Sequence, residues 1–165
     1  QGPSPTQPAA PGVIPIHPEN KLYGETYGAE AAATFEVTRW WRLQPAYTYL
    51  QMQLHKRPGS TDTTSELDEG KSPHHQFSLR SAMDLPHDLS LEGTVRYVDS
   101  LPALGIGSYL ELNVRLGWRP TKNLELAIVG QNLLDSRHPE FSPSFINTQR
   151  TEVERGVYGK LSWKF

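Results

Sequence analysis

From Lys21 onward, apolar and polar residues change places at every second position over strand-length runs. In the first run Tyr27, Ala29, Ala31, Ala33, Phe35 and Val37 share one face, against Gly28, Glu30, Ala32, Thr34 and Glu36. A period of two puts successive side chains on opposite sides of a strand, where a helix would repeat at about 3.6. The alanines favour helix by propensity. The glycines at 24 and 28 and the β-branched, aromatic end of the run favour strand.

A short turn around Arg39 to Trp41 leads into a second run, Arg42 to His55, with broken alternation. Leu43, Tyr47 and Tyr49 share one face, but Leu50, Met52 and Leu54 share the other. Pro45 has no amide to give a ladder, so the run reads as a strand only if a bulge there resets its parity.

The later runs are cleaner. Phe77, Leu79, Ser81, Met83 and Leu85 oppose Gln76, Ser78, Arg80, Ala82 and Asp84, and Leu89, Leu91, Gly93, Val95 and Tyr97 oppose Ser90, Glu92, Thr94 and Arg96. Leu110, Leu112, Val114, Leu116 and Trp118 alternate with Glu111, Asn113, Arg115 and Gly117; Leu124, Leu126 and Ile128 alternate with Glu125 and Ala127 and continue to Leu134. The last run, from about Val153, sets Val157, Gly159, Leu161, Trp163 and Phe165 against Tyr158, Lys160, Ser162 and Lys164.

About seven antiparallel strands follow, joined by connections of alternating length. Those near residues 38–41, 86–88 and 120–123 are short, those at 56–73 and 135–150 are long and aperiodic, and 101–107 is intermediate. Short turns on one rim and long loops on the other is how an outer-membrane barrel is organised. The runs are about 11–14 residues long, against ~5–6 for a globular strand. Full charges sit in mid-strand on one face only (Glu30, Arg80, Glu92, Arg96, Glu111, Arg115, Glu125), the pattern of lipid outside and a wet lumen inside. Trp40, Trp41 and Trp118 fall beside short turns, where indoles anchor at a membrane interface. The predicted fold is all-β: an antiparallel transmembrane β-barrel segment of about seven strands, a partial barrel.

Composition agrees once the alternation is known. The chain is polar on average and has no apolar stretch of ~18 residues, which excludes helical spans but not strands. A net charge of -2 with interspersed signs gives no case for nucleic acid. The absence of cysteine removes disulfides, thiolate metal sites and a cysteine nucleophile. Prolines at 3, 5, 8, 11, 15 and 18 forbid regular structure at the start, and no leader follows the initial Gln1, so residues 1–20 read as a loop entered midway in a fragment.

Little catalytic chemistry is encoded. No Gly-x-Ser-x-Gly elbow marks a nucleophile, and Gly105-Ile106-Gly107 opens no helix, so an enzyme is not expected. The neighbours His74 and His75 point to opposite faces of a strand and form a solvated rim pair, not a shared metal site. His138 and Glu140 are assigned to loop structure, and neither a metal nor a cofactor is predicted. Arg80, Arg96, Tyr97 and Arg115 are candidate lumen contacts for an anionic ligand by residue type; lumen charges equally pair with neighbouring strands or a plug.

The terminal run resembles the C-terminal sorting signal of bacterial outer-membrane proteins, with Val157, Leu161, Trp163 and Phe165 as its apolar positions. That resemblance implies the barrel-assembly machinery as a partner, through strand addition at an open edge. More broadly, GETYGAE at Gly24 to Glu30, LELNVRLGWRPTKNLELAIVGQNLLDSRHPEF at Leu110 to Phe141 and TEVERGVYGKLSWKF at Thr151 to Phe165 resemble the C-terminal barrel of TonB-dependent receptors. The resemblance implies residues 1–20 as a Pro-rich extracellular loop remnant and 21–165 as the C-terminal portion of a ~22-stranded, plugged barrel surrounded by outer-membrane lipid. It further implies import of a scarce nutrient chelate, such as an iron–siderophore, haem or cobalamin. TonB would act only through an N-terminal plug region that this sequence lacks. A porin or an autotransporter translocator would share the barrel without the plug, and a soluble β-sandwich binding module would share the alternation.

Overall fold

The computed structural model describes residues 20–141 and 151–165. The proline-rich start and residues 142–150 of the predicted long loop lie outside the described residues. The strands are β1 (Leu22–Ala32), β2 (Phe35–Thr38), β3 (Trp41–Lys56), β4 (His75–Leu85), β5 (Leu89–Val98), β6 (Tyr109–Thr121), β7 (Leu124–Gln131), β8 (Arg137–Phe141), β9 (Thr151–Glu154) and β10 (Gly156–Trp163). One antiparallel sheet runs β1-β3-β4-β5-β6-β7-β10, with β2 also on β3, and β8-β9 is a separate two-stranded ladder. Because β1 and β2 lie end to end along β3, the sheet is seven strands wide, and it is open, with β1 and β10 at its edges.

The polarity of the two faces follows from register. The rows Ala82–Glu92–Arg115 and Ser78–Arg96–Glu111 cross β4, β5 and β6 on one face. The intervening rows Leu79–Val95–Leu112 and Met83–Leu91–Leu116 cross the same strands on the other. A one-residue slip would exchange the two faces of a strand, so sustained alternation fixes which way each strand faces. Ser81 is a hydroxyl on the apolar face, and the Trp41 indole N–H donates to its Oγ at 2.9 Å.

No bulge resets parity at Pro45. The register of β3 with β4 continues unshifted from Trp41↔Met83 to Tyr49↔His75, and the pairing with β1 and β2 keeps step on both sides of the proline. Pro45 instead faces the Ala33–Thr34 break between β1 and β2: its carbonyl accepts from the Ala33 amide at 3.1 Å, but it has no amide to return. The predicted first strand therefore starts earlier, at Leu22, and is interrupted. The inversion along β3 is real: beyond Tyr49 its apolar residues Leu50, Met52 and Leu54 lie on the charged-face side, with Gln51, Gln53 and His55 opposite.

The short turns sit where the pattern predicts. His87 and Asp88 both adopt left-handed backbone (φ 62° and 57°) between Leu85 and Leu89. At the short turn between β6 and β7 Asn123 clasps Lys164: its carbonyl accepts from the Lys164 amide and its side-chain amide donates to the Lys164 carbonyl, each at 2.9 Å.

The predicted aperiodic stretch 56–73 contains order that no periodicity announces, a 3₁₀ helix at Ser65–Lys71. Past the end of β4, the β3 amides of Leu54 and Lys56 have no strand to pair with. Carboxylates of the 3₁₀ helix accept from them: Glu69 from Leu54, and Glu66 from Lys56 at 2.9 Å. Lys56 Nζ also pairs with Glu66 at 3.1 Å. Asp62 orders the approach by accepting from the Thr64 and Ser65 amides at 2.7 and 3.0 Å. The loop 101–107 forms its own tight turn, a 3₁₀ segment Pro102–Leu104 closed by left-handed Gly105 and a Leu101–Ile106 bridge. Val98, Leu101 and Ile106 are buried there. The two 3₁₀ segments meet at Gly70, where a Cβ would come 3.0 Å from the Cβ and the amide nitrogen of Ala103.

The largest departure from expectation follows β7. The run predicted to reach Leu134 ends at Gln131, and the predicted 135–150 loop contains β8 and leads to β9. The predicted continuous last strand divides at Arg155. Gln131 pairs with Gly156 and Arg137 with Glu154, so residues 132–136 stand opposite the single residue Arg155. That mismatch redirects the hairpin out of the main sheet.

Two predictions follow. Replacing Gly70 with Val forces the 3₁₀ helix off Ala103 at ~1–3 kcal/mol, which raises protease cleavage within residues 57–74 relative to the unaltered protein. Glu66, held below its usual carboxylate range first by the Lys56 amide and then by the Lys56 side chain, gives a pH dependence. Its folded pKa lies below the unfolded value of about 4.3, so its contribution is complete above that value and is lost as pH falls through the folded one. Hydrogen-exchange protection of the Lys56 amide, corrected for intrinsic rate, should fall over that acid window and not near neutrality; the variant Glu66→Gln should lack the transition.

Candidate functional site

The charged face of β4 to β7 carries a ladder of ion pairs. Glu92 receives Arg80 at 2.6 Å from one side and Arg115 at 3.3 Å from the other. Arg115 also pairs with Glu125, which Arg119 approaches at 3.5 Å. These groups are half-exposed, so each pair contributes little by itself. Their effect is to hold Arg80 and Arg115 against neighbouring strands.

Toward the long-loop end of the same face lies a second, denser cluster. Glu111 accepts from Arg96 Nε at 2.9 Å and Nη2 at 2.8 Å, and from Asn113 Nδ2 at 2.7 Å. Asn113 Oδ1 accepts from the Asn132 amide, and Asn132 Nδ2 donates to the Val153 carbonyl, both at 3.0 Å. Asn132 has left-handed backbone (φ 49°) and is fully buried, so one side chain both makes the turn after β7 and ties it to β9. The redirected hairpin then returns to the cluster: Glu140 Oε1 accepts from Arg96 Nη2 at 2.5 Å and from the Tyr109 hydroxyl at 3.1 Å. The Arg96 guanidinium lies 5.5 Å from the Tyr109 ring centre, and the His138 ring stacks on that of Tyr109, centres 4.2 Å apart and 23° from parallel. His138 is buried, with Nε2 3.5 Å from Glu140.

Of the four residues named as lumen contacts, Arg80, Arg96 and Arg115 share the charged face, and each meets a carboxylate of a neighbouring strand. Tyr97 does not join them. Its register partners are Phe77 and Leu110, and Phe77 in turn pairs with Tyr47, so it completes an aromatic row on the apolar face. Alternation had already placed Tyr97 with Leu89 and Leu91; choosing it by residue type set that parity aside. Tyr109, Asn132, His138 and Glu140 were not singled out as contacts. The available signal was the arrest of alternation at Gly130-Gln131-Asn132, where a turn-forming asparagine replaces the next strand residue.

At the short-turn rim, Trp41 opens β3, Trp118 lies across from Leu89 and Leu126, and Trp163 lies across from Leu124. Trp40 sits in the preceding turn, stacked on Trp41 with ring centres 6.2 Å apart. Val157, Leu161 and Trp163 are exposed on the apolar face of β10, and Phe165 lies beyond the strand end. At the opposite rim His75 bonds the Tyr47 hydroxyl through Nδ1 at 2.8 Å. Among the described residues no group of three His, Cys, Asp or Glu side chains is placed to hold a metal ion.

Known proteins resemble this arrangement. A family model described as TonB dependent receptor-like, beta-barrel, matches residues 11–133. The structure of the FpvAI–pyocin S2 complex is similar over 87% of this chain and 20% of that chain, at 17% identity and a TM-score of 0.66. The ferric-catecholate import receptor Fiu from E. coli K12 is similar over 84% and 21%, at 22% identity and 0.62. The ferric yersiniabactin uptake receptor FyuA from Yersinia pestis is similar over 88% and 24%, at 18% identity and 0.59. The chain thus spans about a fifth to a quarter of the proteins it resembles. With a matching family model over most of its length and an open sheet that superposes on receptor barrels, the chain belongs to the TonB dependent receptor-like β-barrel family of the bacterial outer membrane.

Proposed function

We propose that the chain forms the C-terminal portion of the barrel wall of a receptor that imports a scarce nutrient as a metal chelate, with ferric chelates the first class to test. The observation that carries this reading is the open sheet with one apolar exposed face, one charged face and a free strand at each edge. Such a sheet needs lipid on one side, an aqueous interior on the other, and further strands at both edges. The likeness to Fiu, a ferric-catecholate import receptor, and FyuA, a ferric yersiniabactin uptake receptor, supports ferric chelates as the cargo class.

The apolar face has the dimensions of a membrane wall. From Leu110 to Trp118 it covers about 27 Å along β6 at ~3.4 Å per residue, or about 21 Å of depth at a tilt of ~40°. Trp41, Trp118 and Trp163, with Trp40 beside them, serve as the periplasmic interface belt, and the row Tyr47–Phe77–Tyr97 as the outer one. Above that row the same face turns polar at Gln51, Gln53 and His55. Val157, Leu161, Trp163 and Phe165 remain the proposed recognition strand for barrel assembly, and TonB and the plug are proposed partners of the whole receptor.

Deleting the gene in its own bacterium and restoring it tests the reading. Under nutrient limitation, energy-dependent uptake of one class in a panel of labelled ferric chelates, haem and cobalamin should vanish on deletion and return on restoration. Unchanged uptake across the panel would sink it.

A further inference from the structure

We propose that Arg96 and Tyr109 form a cradle for a carboxylate-type oxyanion of the ligand, and that Glu140 on the β8–β9 hairpin occupies it as a built-in competitor. This rests on the receptor reading above and specifies its ligand as an anionic, carboxylate-bearing chelate.

Two donors from different strands, a guanidinium nitrogen of β5 and a phenol hydroxyl of β6, converge on one oxygen of Glu140 at 2.5 and 3.1 Å. Convergent charged and neutral donors on a single oxygen are how proteins grip a carboxylate. The cradle is braced from behind: Glu111 fixes Arg96 through two nitrogens, and Asn113 fixes Glu111. Both braces lie on β6 and persist when Glu140 leaves.

Glu140 is also the more weakly held of the two carboxylates on Arg96. Glu111 is bound through both Nε and Nη2, and its side chain is only 13% exposed; Glu140 uses Nη2 alone and is 38% exposed. One guanidinium serving two carboxylates leaves the pairings competing for a single positive charge. A ligand oxyanion entering from the outer side replaces Glu140 like for like. Because Glu140 is part of β8, its displacement removes the hairpin's ionic contact with the charged face, which couples ligand capture to hairpin position.

The test uses the full receptor in outer membranes, with citrate and ferric citrate as anionic probes and an uncharged ferric hydroxamate as control. The variant Glu140→Ala removes the competitor. It should bind the anionic probes about tenfold tighter, the equivalent of one charge-assisted hydrogen bond no longer to be displaced. It should leave the uncharged chelate unchanged and raise hydrogen exchange across β8 and β9 without raising it in β4 to β6. Adding Arg96→Gln should remove the gain. Equal or weaker binding of the anionic probes by Glu140→Ala, or an equal gain for the uncharged chelate, overturns the cradle. Glu140→Gln keeps the shape and serves if the alanine variant fails to assemble, with the same outcomes. Uptake by the unaltered receptor reports on the function separately: uptake without a Glu140 effect sinks the cradle alone, and a Glu140 effect without any uptake sinks the transport reading alone.

Discussion

The structure depends on ladder register held without slippage across β3, β4, β5 and β6. In an antiparallel sheet a one-residue slip turns every side chain of a strand to the other side. Here that would carry Glu92, Arg96 and Arg115 into hydrocarbon. The charged rows, the apolar rows and the placement of Arg96 across from Glu111 all follow from that single constraint. Among the described residues the irregularities lie away from those four strands' shared ladders: at the β2–β3 turn, the end of β6, the step from β7 to β8 opposite Arg155, and Pro139–Phe141 in the β8–β9 ladder.

That same constraint explains what the amino-acid pattern makes legible. One apolar face and one charged face write their difference into every second residue, so β4, β5 and β6 are visible in the sequence with their faces correct. Beyond Tyr49 of β3 that contrast disappears. Leu50, Met52 and Leu54 lie where the sheet meets its own loops, and the alternation inverts without any bulge. Only a ladder running straight through Pro45 shows that this is one strand and not two.

The hairpin after β7 and the 3₁₀ helix Ser65–Lys71 were hidden for a related reason. Their order comes from side chains answering backbone groups at a distance: Asn132 on the Val153 carbonyl, Glu66 on the Lys56 amide. Contacts of that kind leave no period in the chain. The cluster at Arg96 combines both situations. Arg96 and Glu111 are readable as facing charges on adjacent strands, whereas Tyr109 and Glu140 join them only through a bend that one buried asparagine sets.

The loop between β3 and β4 grips the wall through two carboxylates instead of an added strand. A strand would tie loop length to ladder register, so that each insertion or deletion had to come in matched pairs. Two side chains impose no such arithmetic. Residues between Arg57 and Asp62 can be gained, lost or exchanged while Asp62 sets the approach and Glu66 and Glu69 keep their hold on β3. The loop is thereby released from the geometry that holds the sheet in register, and can change at a different pace.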